Sequence, residues 1–253
     1  MTSKASIELF QFPISHYCEK IRWALDFKGL SYKANNCLPG LHTRTTTKLA
    51  RHSSVPVLRH QDAVIQGSAK IIDYLEETFP ERPLNFSDEK LNHEALEWEK
   101  FADEQIGPHV RRIMYHQLLN HPKIVLPIFA HQGPWYGPIY FKLIYPKLQN
   151  IMRKLMKIND AEVDKSKRIL DESLHHINKV VGLSENQNET KAYLVGDRFS
   201  RADLSVSALL APLFLPDGYG LTWPSTFPEE IDALLSNYAS QVSFAKQCYA
   251  RDR

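Results

Sequence analysis

The first 80 residues alternate between short apolar runs and helical patterns, and this alternation constrains the fold most strongly. The run IELFQF at 7–12 predicts a buried strand, and from Tyr17 apolar residues recur at helical spacing as far as Gly29, a C-terminal cap. SYKANNCL at 31–38 predicts a second strand. After it comes a polar connection that can hold a short helix. Strands alternating with helices predict a mixed α/β domain.

The same domain closes with two further strands and a helix. VPVLRHQDAVIQ at 55–66 predicts two short strands around the turn His-Gln-Asp. SAKIIDYLEETF at 68–79 predicts a helix with Ser68 as its cap and apolar residues on one side. The order β-α-β-(α)-β-β-α therefore occupies residues 1–80.

Helical patterns occupy the rest of the chain. A polar, proline-containing stretch at 81–89 predicts a linker, and residues 90–253 predict an all-helical domain. Helices are expected in 88–107, 161–182, 200–213 and from Pro228 to the last residue. The fold class is therefore α/β plus all-α, with the helical domain second.

Composition narrows the classes of function. A formal net charge of +2 over 253 residues gives no strong attraction to nucleic acid. Three cysteines are too few for the disulfide framework of a secreted scaffold. The N-terminal residues lack the apolar run of a signal peptide, and the longest apolar stretch, from Leu204, is too short to span a bilayer. We expect a cytoplasmic protein with no membrane span and no nucleic-acid partner.

The stretch from 121 to 160 is unusual because it is rich in aromatic residues, proline and glycine at first and basic afterwards. Between Lys142 and Arg168 there are eight Lys or Arg against three Asp or Glu. We interpret it as a solvated helix face with Leu and Ile pointing inward. A patch that contacts a membrane surface or an acidic partner is the alternative.

Three motifs together resemble the cytosolic glutathione transferase superfamily. SHYCEKIRWAL at 15–25 resembles the region where the active-site motif of thioredoxin-like proteins opens the first helix. SSVPVL at 53–58 resembles the segment that carries their cis proline. YLVGDRFSRADLSVSALL at 193–210 resembles the signature of the helical domain, in which Ser200 and Asp203 form a capping box. The resemblance implies a thioredoxin-like N-terminal domain and a helical bundle behind it.

The resemblance to the serine-type classes implies that Ser15 stabilises the thiolate of glutathione, the co-substrate. A free thiol has a pKa of about 8.5, so lowering it by ~2 units takes about 2.7 kcal/mol of preferential stabilisation of the anion. A hydroxyl at a helix N-terminus can supply most of that. Cys18 is expected to fill the core or to act as a resolving thiol, and a reactive Cys18 is the alternative. Tyr17 is a competing hydroxyl, and His16 stands where the family often has proline.

The resemblance also implies a set of residues that hold glutathione. Val55 before Pro56 should offer its backbone to the cysteinyl part in the manner of an added strand. Ser68 and its helix N-terminus should bind the γ-glutamyl carboxylate. The family usually has Glu, Gln or Asp immediately before that serine, where this chain has Gly67, and Gln66 can compensate. His42 resembles the histidine that several classes direct at the glycine carboxylate.

The second substrate, a small hydrophobic electrophile, should lie against the helical domain. Its candidate wall consists of four aromatic residues, which are Tyr115, Trp135, Tyr136 and Tyr140. The resemblance implies a homodimer without a metal ion that conjugates or exchanges glutathione. Two other functions stay open: a non-catalytic glutathione transferase-like binding or scaffold protein, and a glutathione-dependent thiol oxidoreductase that uses Cys18.

Overall fold

A four-stranded sheet with three helices forms the N-terminal part of the computed structural model, which describes residues 6–182 and 191–253. The strands and helices follow the order that the sequence predicts. Their bounds are β1 (Ile7–Gln11), α1 (His16–Phe27), β2 (Tyr32–Asn36), α2 (His42–Leu49), β3 (Val57–His60), β4 (Ala63–Gln66) and α3 (Ser68–Thr78).

The order of strands across the sheet is β2-β1-β3-β4. Strand β1 runs parallel to β2, with Gln11 opposite Asn36, and antiparallel to β3, with Phe10 opposite Val57. Strands β3 and β4 are antiparallel, with Val57 opposite Gln66. This register brings the ends of β1, β2 and β4 and the beginning of β3 to one end of the sheet. The fold class predicted from the sequence, a thioredoxin-like domain followed by helices, is confirmed.

The second part of the chain is helical. Residues 79–88, all of them described, form neither helix nor strand and connect it to α3. A π-helical turn at 102–106 joins the first two helices, so the helix predicted through residue 107 is interrupted. The helices are α4 (Glu89–Phe101), α5 (Gly107–Leu118), α6 (Pro122–Ala130), α7 (Gly137–Leu155), α8 (Asp160–Val180), α9 (Arg201–Leu210), α10 (Glu229–Tyr238) and α11 (Ser243–Asp252).

Helix α1 joins the two parts, because it packs against α3 on one side and α9 on the other. Its fully buried Lys20 ammonium forms ion pairs with Glu99 at 2.8 Å and with Asp103 at 3.0 Å. Removing one partner of such a buried pair leaves an uncompensated charge, so this network fixes α1 against the helical part. The predicted capping box is confirmed, since Ser200 donates its backbone N–H to Asp203 Oδ2 at 2.9 Å.

Two local predictions are wrong. Ser68 is the first residue of α3 and not its cap, because Gly67 takes the cap position with φ +100° and ψ 137°. Leu and Ile of the 121–160 segment do not all point inward: Ile139 and Leu143 on α7 are 59% and 77% exposed. Among the described helices, none is both long and apolar enough to cross a bilayer.

Candidate active site

Four chain segments meet at the end of the sheet where β1 finishes. The backbone N–H of Cys37, just after β2, donates to the Gln11 carbonyl at 2.8 Å, which places the start of the 37–42 connection beside β1. The N–H of Gly67, just after β4, donates to the Pro56 carbonyl at 3.1 Å. The loop that leads into α1, the connection into α2, the Val55–Pro56 segment and the start of α3 are thereby held together.

Ser15 caps the N-terminus of α1 in this cluster. Its Oγ accepts a long hydrogen bond of 3.4 Å from the Cys18 backbone N–H, and the side chain is half-buried. The hydroxyl hydrogen is not used in that bond. The helix dipole favours negative charge at this position. A bound anion here meets both a hydroxyl donor and the positive end of the helix.

The loop that carries Ser15 is fixed by two buried groups behind it. The Arg22 guanidinium donates to the Pro13 carbonyl at 3.0 Å, and the Tyr219 hydroxyl donates to the Ile14 carbonyl at 2.7 Å. The same guanidinium donates to Gln11 Oε1 at 2.6 Å, at the end of β1. Two carbonyls held in this way restrict the backbone immediately before Ser15.

Cys18 lies inside the first turn of α1 and has no exposed surface. Burial raises the pKa of its thiol, against the opposing effects of Arg22 and the Ser15 hydroxyl. The protonated form is therefore favoured at neutral pH, and a thiol is a poor nucleophile. Burial and nearby Asp103 likewise raise the pKa of Tyr17, whose hydroxyl donates to the Asp103 carbonyl at 2.9 Å.

His16 is buried beside Arg111 at the start of α1. Burial, and after it the Arg111 charge, lowers the pKa of His16 to about 3, so the imidazole is neutral at physiological pH. It cannot serve as an imidazolium acid there. Within the part of the chain that the structure describes, neither His16 Nε2 nor Arg111 Nε has a hydrogen-bond partner. These two nitrogens make the position polar where the family's proline would be apolar.

The Val55–Pro56 peptide bond is cis, as the sequence resemblance implies. The carbonyl of Pro56 is used by Gly67, but no described residue bonds to the backbone N–H or C=O of Val55. An extended peptide can pair with such groups in the way that one strand pairs with another. Val55 therefore has the free backbone groups that the predicted contact to a cysteinyl residue needs.

The side chain of Gln66 is engaged within the protein. Its Oε1 accepts from the His52 backbone N–H at 3.1 Å, and its Nε2 donates to the carbonyls of His52 at 2.7 Å and Ser54 at 2.8 Å. An amide has two N–H donors, so both are used. Gln66 holds the loop that precedes Val55. It has no donor left for a γ-glutamyl carboxylate while that loop keeps its conformation.

Ser68 and His42 lie at the starts of two helices around the same end of the sheet. Ser68 follows the cap of α3, where the first backbone N–H groups have no intrahelical acceptor. His42 accepts at Nδ1 from the Gly40 backbone N–H at 3.1 Å, and burial lowers its pKa. Its neutral form therefore carries the proton on Nε2 and offers one donor.

The four aromatic candidates fall into two groups. Tyr115 lies half-buried close to Arg111 and Cys18, near the start of α1. Tyr140 donates to the Pro39 carbonyl at 3.3 Å, and Tyr136 lines a cavity of about 510 Å³ together with His42. Trp135 is 84% exposed, and its ring makes a T-shaped contact with the Tyr136 ring. In the described residues the Trp135 ring contacts Tyr136, whereas the Tyr115 ring contacts Phe129.

Sequence reasoning missed the roles of Arg22, Tyr219 and Arg111. Arg22 and Tyr219 are separated by almost the whole chain, and no local pattern links either to the loop before Ser15. The one available signal was the arginine in an otherwise apolar turn of α1, because a buried arginine needs several acceptors.

Two family models match the two parts of the chain. The glutathione S-transferase N-terminal domain matches residues 9–83, and the glutathione S-transferase C-terminal domain matches residues 124–240. Together they extend over most of the sequence, in the order that the structure shows.

Individual proteins agree with these models. Glutathione S-transferase 1 of Dianthus caryophyllus is 42% identical over 95 residues, which are 35% of this chain and 43% of that relative. Glutathione S-transferase TCHQD of Arabidopsis thaliana is 27% identical over 224 residues, 83% of this chain and 78% of that relative. The match thus spans under half of the first relative and most of the second.

Among solved structures, the glutathione transferase GSTFuA3 of Phanerochaete chrysosporium superposes with a TM-score of 0.64. The superposition covers 99% of this chain and 98% of that one at 18% identity, and it shows a shared fold. Fold, domain order and both domain models agree. The chain belongs to the cytosolic glutathione transferase superfamily.

Proposed function

We propose that this protein is a glutathione transferase that joins glutathione to a small hydrophobic electrophile, with Ser15 as the catalytic residue. One observation carries the proposal: the half-buried Ser15 hydroxyl stands at the N-terminus of α1 in a loop held by Arg22 and Tyr219. A donor fixed in this way meets a developing thiolate without reorganisation, which is how preorganised donors lower a barrier.

Glutathione would lie across the end of the sheet. Its cysteinyl residue pairs with the free backbone groups of Val55, which places the sulfur towards Ser15. Its γ-glutamyl carboxylate meets the open N–H groups and the hydroxyl of Ser68 at the start of α3. Its glycine carboxylate accepts a hydrogen bond from the Nε2–H of His42. Gln66 acts through the loop 52–54 and is a positioning residue in this arrangement.

Three effects then favour the reaction. The Ser15 hydroxyl donates to the thiolate, and the α1 dipole stabilises its charge. The sulfur and the electrophile are held side by side, which removes much of the entropic cost of a bimolecular step. The sulfur forms a bond to the electrophilic carbon, and the leaving group departs with the electron pair of the bond that breaks.

The electrophile would lie against Tyr115, on the side of the helical part. Trp135 contributes little to this wall, since its ring is mostly in solvent.

A non-catalytic binding protein is the second candidate, and Gly67 is the observation that favours it. The position that usually carries an acidic or amide side chain has none, and both donors of the neighbouring Gln66 are used inside the protein. Reduced contact to the γ-glutamyl group would follow. An oxidoreductase using Cys18 is disfavoured by the burial and the raised pKa of that thiol.

Retention on immobilised glutathione, followed by turnover of a chlorinated aromatic compound, separates the candidates. A transferase is retained, elutes with free glutathione and releases chloride at a rate well above the uncatalysed reaction. Retention without turnover of any electrophile in a broad panel would favour the binding protein. A chain that is neither retained nor active would refute both.

A further inference from the structure

The outer face of α7 exposes apolar side chains that a soluble surface helix would normally bury. Of eight large hydrophobic residues exposed in the described part of the chain, six lie between 135 and 155. Five of them follow a four-residue spacing along one row, and we call this row the α7 ridge: Trp135, Ile139, Leu143, Ile151 and Leu155. Exposed apolar patches of this kind mark interaction surfaces.

Helix α7 presents this ridge as a rigid surface. Phe141, Tyr145, Leu148 and Met152 are buried in the core, which fixes the rotation of the helix. At 3.6 residues per turn the row winds by about 40° per step, so Ile139 and Leu143 point away from the core and Leu155 lies nearer its edge. From Ile139 to Leu155 the ridge is about 24 Å long, at 1.5 Å of rise per residue. Trp135 at its beginning is 84% exposed and Leu155 at its end is 78% exposed. The apolar surface therefore needs no refolding to meet a partner.

Every charged residue of α7 itself is basic. The fourth position of the row, between Leu143 and Ile151, is Lys147, and Lys142 and Lys154 are also exposed. Residues 105–159 contain eight Lys or Arg and no Asp or Glu, so all 29 acidic residues of the chain lie outside this stretch. The basic side chains complement a surface with anionic groups, and the exposed aliphatic side chains complement an apolar layer below those groups.

We propose that the α7 ridge docks this protein onto the surface of a membrane that contains anionic lipids. Helix α7 would lie in the plane of the interface, with Ile139 and Leu143 among the acyl chains and the lysines at the phosphate level. Trp135 and Tyr136 are the residue types that favour the interface. The long, mobile stems of the lysines reach past the apolar row to the headgroups. The proposal does not depend on the catalytic role of Ser15.

A second copy of this chain is the competing occupant of the ridge. Self-association would place the lysines of two copies against one another, with no carboxylate of the 105–159 stretch available between them. Like charges at an interface oppose association. The charge pattern therefore favours the anionic lipid surface over a symmetric contact through α7.

Flotation with lipid vesicles tests the proposal on the full chain. We expect binding to vesicles of phosphatidylcholine mixed with phosphatidylserine, no binding to phosphatidylcholine alone, and weaker binding as salt rises. The double variant Ile139→Ser with Leu143→Ser should bind at least tenfold more weakly. The double variant Lys142→Gln with Lys147→Gln should bind the anionic vesicles about 30-fold more weakly, at the usual contribution of one basic residue near such a surface counted twice.

The matched control is Leu96→Ser, since Leu96 is an exposed leucine on α4, away from the ridge, at 37% exposure. It should bind as the unchanged protein does, and circular dichroism of all variants checks the fold. Failure of the unchanged protein to bind anionic vesicles at low salt would overturn the proposal. So would a ridge variant that binds normally. A ridge variant that turns a dimer into a monomer in light scattering would assign the face to a second copy instead.

Discussion

Replacement of Asp203 by alanine should lower stability in a pH-dependent manner. The Asp203 carboxylate is fully buried and accepts three hydrogen bonds: from the Leu194 backbone N–H at 2.7 Å, and from the Ser200 N–H and hydroxyl, both at 2.9 Å. Alanine leaves the two backbone donors without an acceptor. A buried unsatisfied group costs about 1–3 kcal/mol, so we expect the free energy of unfolding to fall by about 2–4 kcal/mol at pH 5.

The pH dependence comes from the buried carboxyl itself. Burial raises the pKa of Asp203 from its ordinary 3.8 to about 6, against the three hydrogen bonds. The folded protein thus binds this proton more tightly than the unfolded chain, and stability falls as pH rises from about 4 to about 6. At about 1.4 kcal/mol per pKa unit, the whole loss is about 3 kcal/mol. Roughly 1.4 kcal/mol of it falls between pH 5 and pH 7.5.

Urea unfolding followed by tryptophan fluorescence at pH 5 and pH 7.5 measures both effects. Alanine has no proton to bind, so the difference between the unchanged protein and Asp203→Ala should be larger at pH 5, by about 1.4 kcal/mol. Asp88→Ala is the matched control, because Asp88 caps α4 from an exposed position, and it should cost about 1 kcal/mol. A variant as stable as the unchanged protein, or a difference that grows with pH, would refute this reasoning.

Three further outcomes are expected. Gly67→Glu should weaken glutathione binding and lower stability by about 1–3 kcal/mol, because Gly67 has φ +100°, and calorimetry with thermal unfolding measures both. Tyr219→Phe frees the Ile14 carbonyl and should lower turnover several-fold more than it lowers glutathione affinity, as steady-state kinetics would show. Light scattering should give about twice the 29.2 kDa of one chain, because we propose a homodimer, and a value near one chain would contradict that.

Elements with local signals could be predicted from the sequence. Strand β1, helix α1 and the capping box of α9 depend on residues within a few positions of one another, and the structure has all three. The prediction that Ser68 caps α3 was wrong, because Ser68 and Gly67 are neighbours and both residue types suit a cap position. Only the backbone conformation, with its positive φ, distinguishes them.

Contacts distant in sequence could not be predicted. Gln66 holds the loop 52–54 through three hydrogen bonds, and nothing in the sequence around it indicates that its amide is unavailable to a ligand. Helix α7 is apolar on two faces, with Phe141 buried and Leu143 exposed. A helix that is apolar on all sides is expected to be buried, so periodicity alone could not reveal the exposed ridge.

The comparison of Ser15→Ala with Cys18→Ser tests the central claim most directly. Turnover of a chlorinated aromatic compound and the apparent pKa of enzyme-bound glutathione are measured for both variants. Ser15→Ala should retain glutathione affinity within a few-fold, raise the pKa of the bound thiol and lower turnover about 10²-fold, through loss of one oriented donor. Cys18→Ser should keep most of the turnover and lose stability, because a hydroxyl replaces a buried thiol. Loss of activity in Cys18→Ser with an unaffected Ser15→Ala would contradict the account and identify Cys18 as the reactive group.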